Sequence, residues 1–326
     1  MKLTDYFDTL LMDTVNLPQS KLDLLASRAS SVSNALQADL TVGPHVMGYT
    51  PQGSWAQRTI INPVGDKEFD ADILLDMEDV AGWEPKDYIE QVYRALDRHG
   101  TYTSMPHTRR CRCVTLTYAN SMHIDIVPHL TLADGREVIV NRDDNDWETT
   151  DPDGFTDWMK RQDASCNGNL RKVIRLMKYL RDVRNSFTST PSIIITTLVG
   201  NQVSVIDKYV GNYSTLPDAL VHLVEALDVW LQQHPTRPSV PDPSNPSTTF
   251  DHRWTDATYS YFRNRVHAHS ADIRLAYDET DRDTSVALWQ SVFGDGFRAP
   301  AATDRAPFIA TVPASTSTTH RSGRAG

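Results

Sequence analysis

Phe69-Asp70-Ala71-Asp72-Ile73-Leu74 sets two carboxylates two residues apart, and His123-Ile124-Asp125-Ile126-Val127 adds a third among alternating apolar residues. Side chains alternate between the faces of a strand, so Asp70 and Asp72 project one way while Ala71, Ile73 and Leu75 project the other. The second segment follows Val114-Thr115-Leu116-Thr117-Tyr118 across Ala119-Asn120-Ser121, which predicts a hairpin whose inner strand carries Asp125 to the pair. Three carboxylates a few ångströms apart repel one another and hold a proton unless a cation neutralises them. Hard oxygen ligands of this kind suit Mg²⁺ or Mn²⁺, which leave positions for water and phosphate oxygens. Two such ions, roughly 3.5 to 4 Å apart, can activate an attacking hydroxyl and stabilise a leaving pyrophosphate together.

An Asp-x-Asp alone says little, because paired acids on a strand edge are usually a solvated face or a guard against aggregation. Gln52-Gly53-Ser54-Trp55 upstream narrows the reading. Glycine lets backbone amides approach a phosphate closely, and serine adds a hydroxyl donor. Gly-Ser is also common in turns, so the weight lies in the order: Gly-Ser, Arg58-Thr59, Asp-x-Asp on an apolar strand, then Asp125 in an alternating strand.

With these residues the chain resembles the cGAS/DncV-like nucleotidyltransferases, or CD-NTases, which make cyclic oligonucleotide signals in bacterial anti-phage (CBASS) operons. The resemblance rests on Gly53-Ser54 with Arg58-Thr59, Asp70-x-Asp72, Asp125, and the stretch Leu170 to Arg184 followed by Pro191-Ser192-Ile193. Val240-Pro241-Asp242-Pro243-Ser244-Asn245-Pro246 and Val292-Phe293-Gly294-Asp295-Gly296-Phe297 extend it over nearly the whole chain. The Gly-Ser and acidic motifs belong to the wider polymerase β-like superfamily. The later landmarks and the length point to the CD-NTases, with a CdnE-like branch as the expected subgroup.

The resemblance implies an α+β, polymerase β-like nucleotidyltransferase fold: a mixed-sheet catalytic lobe, a mainly helical second lobe, and an active site in the cleft between them. It implies that Asp70, Asp72 and Asp125 are catalytic and hold two Mg²⁺ ions, or Mn²⁺, and that Gln52, Gly53 and Ser54 bind nucleotide. A lysine on the helix from Leu170 and a serine after it contact the triphosphate in the family. By position these are Lys178 and Ser192, with Arg175 and Arg181 as close competitors for the lysine's role. Asn167 and Asn169 precede that helix, where Asn is a good N-cap. An amide can also read donor and acceptor on a base edge, and in some CD-NTases an asparagine here favours a pyrimidine, which implies a uracil-containing product. Substrates would be NTPs (ATP, UTP or GTP), the product a cyclic dinucleotide or oligonucleotide released with pyrophosphate, and a downstream effector would bind it. Two other readings stay open: a nucleotidyltransferase toxin that modifies tRNA or protein, and a nucleotide-binding scaffold with an idle site.

Composition sets bounds around this. The formal net charge of -10 over 326 residues disfavours long nucleic acids, which bind chiefly through neutralised phosphates. Basic residues are local instead: Arg171, Lys172, Arg175, Lys178, Arg181 and Arg184 sit around an apolar stripe of Val173, Ile174 and Met177. Arg171, Arg175 and Lys178 share one helix face, either as a solvated basic side or as a phosphate contact. No apolar run approaches the ~20 residues of a membrane span, and the start lacks a secretory apolar region, which predicts a cytoplasmic protein. Three cysteines make no disulfide framework, and without a second Cys/His pair they do not read as a zinc site.

These residues need elements to hold them. We expect a catalytic lobe with an N-terminal helix over 1–160, a helical lobe over 161–298, and a flexible tail over 299–326. Tyr88, Val92, Ala95 and Leu96 predict a helix from Pro85 to His99, punctuated by Glu84-Pro85 and Gly100. Residues 133–153, with Asp143, Asp144 and Asp146, read as an irregular solvated loop. Helices are expected near 156–163, 168–184, 190–201, 216–233, 254–278 and 281–293. Five prolines between His234 and Thr249 force an extended segment across a surface. Trp147, Trp158, Trp230, Trp254 and Trp289 read as packing residues, and His267 with His269 as no metal pair. Arg109, Arg110 and Arg112 could reach phosphate, though an edge-strand basic patch is the simpler account.

Overall fold

The computed structural model describes residues 1–65, 67–119 and 122–301. Asn120 and Ser121 of the expected hairpin turn, and the tail beyond residue 301, lie outside the described residues.

Seven strands make one mixed sheet. Strands β1 (Val46–Gln52), β2 (Phe69–Met77), β3 (His107–Arg109), β4 (Val114–Tyr118) and β5 (Met122–Thr131) stand in the order β1-β2-β5-β4-β3. Among the described residues only β2 and β5 run parallel; the β4–β5 pair is the hairpin expected from the alternation. Ala71, Ile73 and Leu75 of β2 and Ile124 and Ile126 of β5 are fully buried in a core shared with two helices. Those helices are α2 (Gln19–Gln37), which contributes Leu25, Ala29, Val32 and Leu36, and α4 (Pro85–Arg98), which contributes Tyr88, Ile89, Val92, Ala95 and Leu96. Their spacing is that of one helical stripe. Helix α4 starts on a capping box between Glu84 and Asp87 with Pro85 at its first position, which satisfies amides that would otherwise be unpaired. With one face covered by helices, β2 and β5 present Asp70, Asp72 and Asp125 on the other.

Residues 133–153 do not form the irregular loop expected. They hold β6 (Glu137–Asn141) and β7 (Asp146–Thr149), an antiparallel pair attached to the far half of β5. Val138 and Val140 alternate into the core, while Asp143 and Asp144 sit in the turn between the strands and Asp146 opens β7.

The second core is helical. It joins α5 (Pro152–Ser165), α6 (Leu170–Val183), α7 (Ser192–Gly200), α9 (Leu216–Gln233), α10 (Asp256–Asp278) and α11 (Arg282–Phe293). A five-residue helix, α8 (Val205–Tyr209), was not expected and leaves Ile206 and Tyr209 exposed. The N-terminal helix α1 (Thr4–Leu10) also packs here: the ring of Phe7 stands 4.9 Å from that of Trp289 and 5.0 Å from that of Phe297. Trp158, Trp254 and Trp289 are buried in this core, and Trp147 and Trp230 pack against the two cores at their edges. His267 pairs with Asp228 and His269 turns to Ser186, so the two histidines have separate partners. The proline-rich segment runs extended between the two halves: Ser244 donates to the Asp151 carbonyl and Asn245 to the Thr149 hydroxyl. Among the described residues no helix is long and apolar enough to cross a membrane.

Candidate active site

Strand β1 ends at Gln52, and the chain turns at once into the short helix α3 (Gly53–Ala56). Gly53 has φ +59°, the left-handed region that glycine enters without strain, and a Cβ there would lie 2.2 Å from Asp72 Oδ2. The close approach of backbone to carboxylate is thus reserved for glycine. The turn closes when Thr59 and Ile60 donate their amides to the Ser54 carbonyl, at 2.9 and 3.1 Å.

Four residues line up across four strands. Gln52 pairs with Asp72, Asp72 with Asp125, and Asp125 with Thr115. Paired residues project from one face, so this rung carries two adjacent carboxylates flanked by an amide and a hydroxyl. Thr115 Oγ1 donates to Asp125 Oδ1 at 2.5 Å, which fixes that carboxylate's orientation. Asp70 lies one rung along, opposite His123, and is exposed. Burial pushes the Asp72 carboxyl up to about 7, and the charges of Asp70 and Asp125 add to the rise against Arg253 and His123. Burial also pushes the neighbouring Cys113 thiol up to about 12, so it stays protonated and unreactive.

This donor set fits a hard divalent cation. A carboxylate that resists ionisation because it is buried, with the charges of Asp70 and Asp125 adding to the effect, gains most from a cation placed beside it. Among the described residues no three acid, histidine or cysteine side chains close into a cage around one point. Magnesium needs none, because it is bound through one or two carboxylates and completes its shell with water and phosphate oxygens. The rung opens into a cleft of about 590 Å³, lined also by Arg110, Arg112, Thr117, His123 and Arg253, a size suited to a small-molecule ligand.

Helix α6 closes the other side of the Gly-Ser turn. Three cations on one stripe donate to successive main-chain carbonyls: Arg171 to Gln57 at 2.9 Å, Arg175 to Arg58 at 3.0 Å, and Lys178 to Thr59 at 2.8 Å. The face shared by these residues is therefore neither solvated nor wholly open to a ligand. Lys178 is buried, and burial lowers its ammonium to about 8 against the raising influence of Asp70. Ser192 opens α7 and accepts from Arg181 at 3.2 Å, not from Lys178. Asn169 stands at the N-cap position of α6 without making a capping bond; its amide and that of Asn167 both donate to the Tyr213 carbonyl, at 3.1 and 3.3 Å.

The structure thus sets Gln52, Gly53, Asp72 and Asp125 side by side, leaves Asp70 exposed further along β2 and Ser54 in the α3 turn, holds Lys178 on the Thr59 carbonyl, sets Ser192 beside Arg181, and turns Asn167 and Asn169 towards Tyr213. Sequence reasoning missed Arg253, which lies in a turn after the proline-rich segment and reaches the cleft only through tertiary folding. Of the three arginines before β4, Arg109 pairs with Glu90 and Arg112 with Glu148, while Arg110 faces the cleft.

A mixed sheet bearing an acidic rung beside a Gly-Ser turn, roofed by a helical half, defines a nucleotidyltransferase of the polymerase β-like kind. Residues 1–163, half of the chain, match the family of the Second Messenger Oligonucleotide or Dinucleotide Synthetase domain, and the chain belongs to that family, among the CD-NTases. A c-di-GMP synthase of Roseivirga ehrenbergii is 25% identical over 341 residues, which cover 90% of this chain and 87% of that protein. The structure of E. coli MS115-1 CdnC with ATP has a TM-score of 0.69 to this one at 19% identity, over 91% of this chain and 100% of that chain. Bradyrhizobium diazoefficiens CdnG in complex with GTP has a TM-score of 0.71 at 18% identity, over 90% and 96%. These likenesses share the fold and single out no branch, so the CdnE-like placement stays a proposal.

Proposed function

We propose that this enzyme joins NTPs into a cyclic dinucleotide or oligonucleotide second messenger and releases pyrophosphate. The observation that carries the reading is the rung Gln52–Asp72–Asp125–Thr115 with Gly53 packed against its central carboxylate. Family membership and the names of similar proteins, a c-di-GMP synthase and a cyclic AMP-AMP-AMP synthase, support a cyclic product.

In this reading residues 1–160 form the catalytic lobe and 161–298 the helical lobe, with α1 and most of α5 lent to the second core. Asp70, Asp72 and Asp125 hold Mg²⁺ or Mn²⁺, and such ions, when bound, lower the pKa of the attacking hydroxyl and neutralise the leaving pyrophosphate. Gln52, Gly53 and Ser54 cradle the donor triphosphate, and Lys178 with Ser192 holds its far end. Asp125, oriented by Thr115, accepts the proton of the acceptor ribose hydroxyl as its oxygen bonds the α-phosphorus and the bond to the β-phosphate oxygen breaks. Asn167 is the accessible member of the pair assigned to the base, and a uracil-containing product is the corresponding proposal. An anti-phage signalling role in the cytoplasm, acting through an effector that binds the product, completes the reading.

Incubation with labelled NTPs and Mg²⁺ tests it. The parent is expected to yield a phosphatase-resistant product that Asp70→Ala/Asp72→Ala does not make. Identical product patterns from the two proteins would end the reading, and a mass shift on tRNA or protein instead would favour a modifying transferase.

A further inference from the structure

A second hollow opens on the same face of the sheet as the acidic rung, further along β2. Asp76 stands four residues beyond Asp72 and projects the same way, about 13 Å along the strand. The cavity there measures about 260 Å³, and its titratable lining is Asp76, His129, Glu137 and Asp153, from β2, β5, β6 and the first turn of α5. Leu74 and Met47 give it apolar walls. Among the described residues no lysine or arginine lines it, and Glu137 and Asp153 form no ion pair.

His129 is packed into this hollow and incompletely satisfied. It is 8% exposed, lies opposite Asp76 in the β2–β5 register, and donates from Nδ1 to Asp76 Oδ1 at 2.9 Å. Thr50 donates to the other oxygen of Asp76 at 3.0 Å, so carboxylate and ring are both fixed. With its proton on Nδ1, the neutral ring keeps a lone pair on Nε2, at the end of the ring away from the strand. That nitrogen is buried and has no partner. A buried acceptor is costly to leave unpaired, and the space beyond this one is the cavity.

These groups select a cation that carries N–H donors. Three carboxylates repel an anion, even though α5 begins here, because its first turn brings Asp153 with it. A metal ion would also take the imidazole lone pair, but among the described residues no three acid, histidine or cysteine side chains surround one point. An ammonium needs no such cage, since its three donors rotate to the acceptors available. Asp76 on β2 and Glu137 on β6 stand roughly 10 Å apart, two strand spacings. Two acidic poles beside an apolar wall suit a methylene chain with an ammonium at each end.

We infer that this cavity seats a linear aliphatic polyamine. One ammonium donates to His129 Nε2 between the carboxylates of Glu137 and Asp153, and a second lies at Asp76. The seat is separate from the acidic rung and does not depend on the proposed condensation.

Calorimetric titration of the full chain with putrescine (1,4-diaminobutane), without nucleotide or metal, tests the seat. The parent is expected to bind one equivalent, and to bind no 1,4-butanediol, which has the same length without the charge. Glu137→Gln/Asp153→Asn is expected to weaken putrescine binding about ten-fold or more. His129→Phe, which keeps a ring without the lone pair, is expected to do the same. Glu137 is half-buried and Asp153 exposed, and an unchanged melting temperature will show that the double variant folds. Asp70→Ala/Asp72→Ala is expected to bind putrescine as the parent does. Parental affinity in Glu137→Gln/Asp153→Asn would overturn the inference. Loss of binding in Asp70→Ala/Asp72→Ala would overturn it too, by moving the diamine to the rung, and a parent that binds Zn²⁺ through His129 but no putrescine would replace it with a metal site.

Discussion

The carboxylate of Asp72 occupies the space that a side chain on Gly53 would need: its Oδ2 lies 2.2 Å from the site of a Cβ there. Backbone and acid are held closer than any residue but glycine permits, and the left-handed φ of Gly53 adds to the restriction. Gly53→Ala is expected to lose about 1–2 kcal/mol of stability and, by displacing Asp72, roughly 10²-fold in kcat. Denaturant unfolding and steady-state kinetics on the same preparation separate the two effects, and a parental kcat would show that the contact does not matter.

Asp72 makes the protein's stability depend on pH in a definite direction. Its carboxyl is raised to about 7 in the folded state, so the folded protein keeps a proton that the unfolded chain gives up near the usual carboxylate range of about 4. The stabilisation is complete below that range and is lost as pH rises through 7. Asp72→Asn is expected to remove this slope and to exceed the parent in stability at pH 8 by up to about 4 kcal/mol when metal is chelated. Parallel curves for the two proteins between pH 5 and pH 8 would contradict it. Added Mg²⁺ is expected to stabilise the parent and not the variant.

Lys178 should leave a signature at higher pH. Burial lowers its ammonium to about 8, so it is charged below that pH and neutral above it. If it holds phosphate, kcat/KM for NTP falls as pH rises through about 8, and this limb is absent in Lys178→Met, whose activity lies about ten-fold lower at neutral pH. The substitution also removes the donor to the buried Thr59 carbonyl and is expected to cost about 1–3 kcal/mol of stability. A retained alkaline limb in the variant would assign the titration to another group.

Thr115 acts through Asp125. Its hydroxyl donates at 2.5 Å to the carboxylate, and its removal leaves Asp125 free to rotate out of the rung. Partners of this kind typically cost about 10–100-fold in metal affinity when lost. Thr115→Val is expected to raise the Mg²⁺ concentration needed for half-maximal activity by about ten-fold, with Thr115→Ser close to the parent. An unchanged Mg²⁺ requirement in the valine variant would dismiss the role.

The longer helices of this chain were legible to within a few residues because their apolar stripes are long and their ends are marked by Pro, Asp and Thr, whereas the short α3 and α8 were not. The faces of β2 and β5 were legible too. Their register was not: sliding one strand by two residues would set Asp70 opposite Asp125 and preserve the same alternation, so pairing Asp72 with Asp125 is a tertiary outcome. The β6–β7 hairpin was missed because the acids in and beside its turn outweighed the two valines that bury it. Arg253 was hidden for a different reason. Nothing local in a proline-rich crossing says which of its neighbours returns to a cleft formed by residues more than a hundred positions away.

Arg171, Arg175 and Lys178 fasten α6 to residues 57–59 through main-chain oxygens alone. Such acceptors belong to no side chain, so substitution at Gln57, Arg58 or Thr59 leaves them in place. Across related sequences this joint should therefore show a lopsided pattern of variation, with drift tolerated in the turn and constraint concentrated on the three cations. A deep alignment of relatives would read that asymmetry directly, and equal drift on both sides would mean the joint is dispensable.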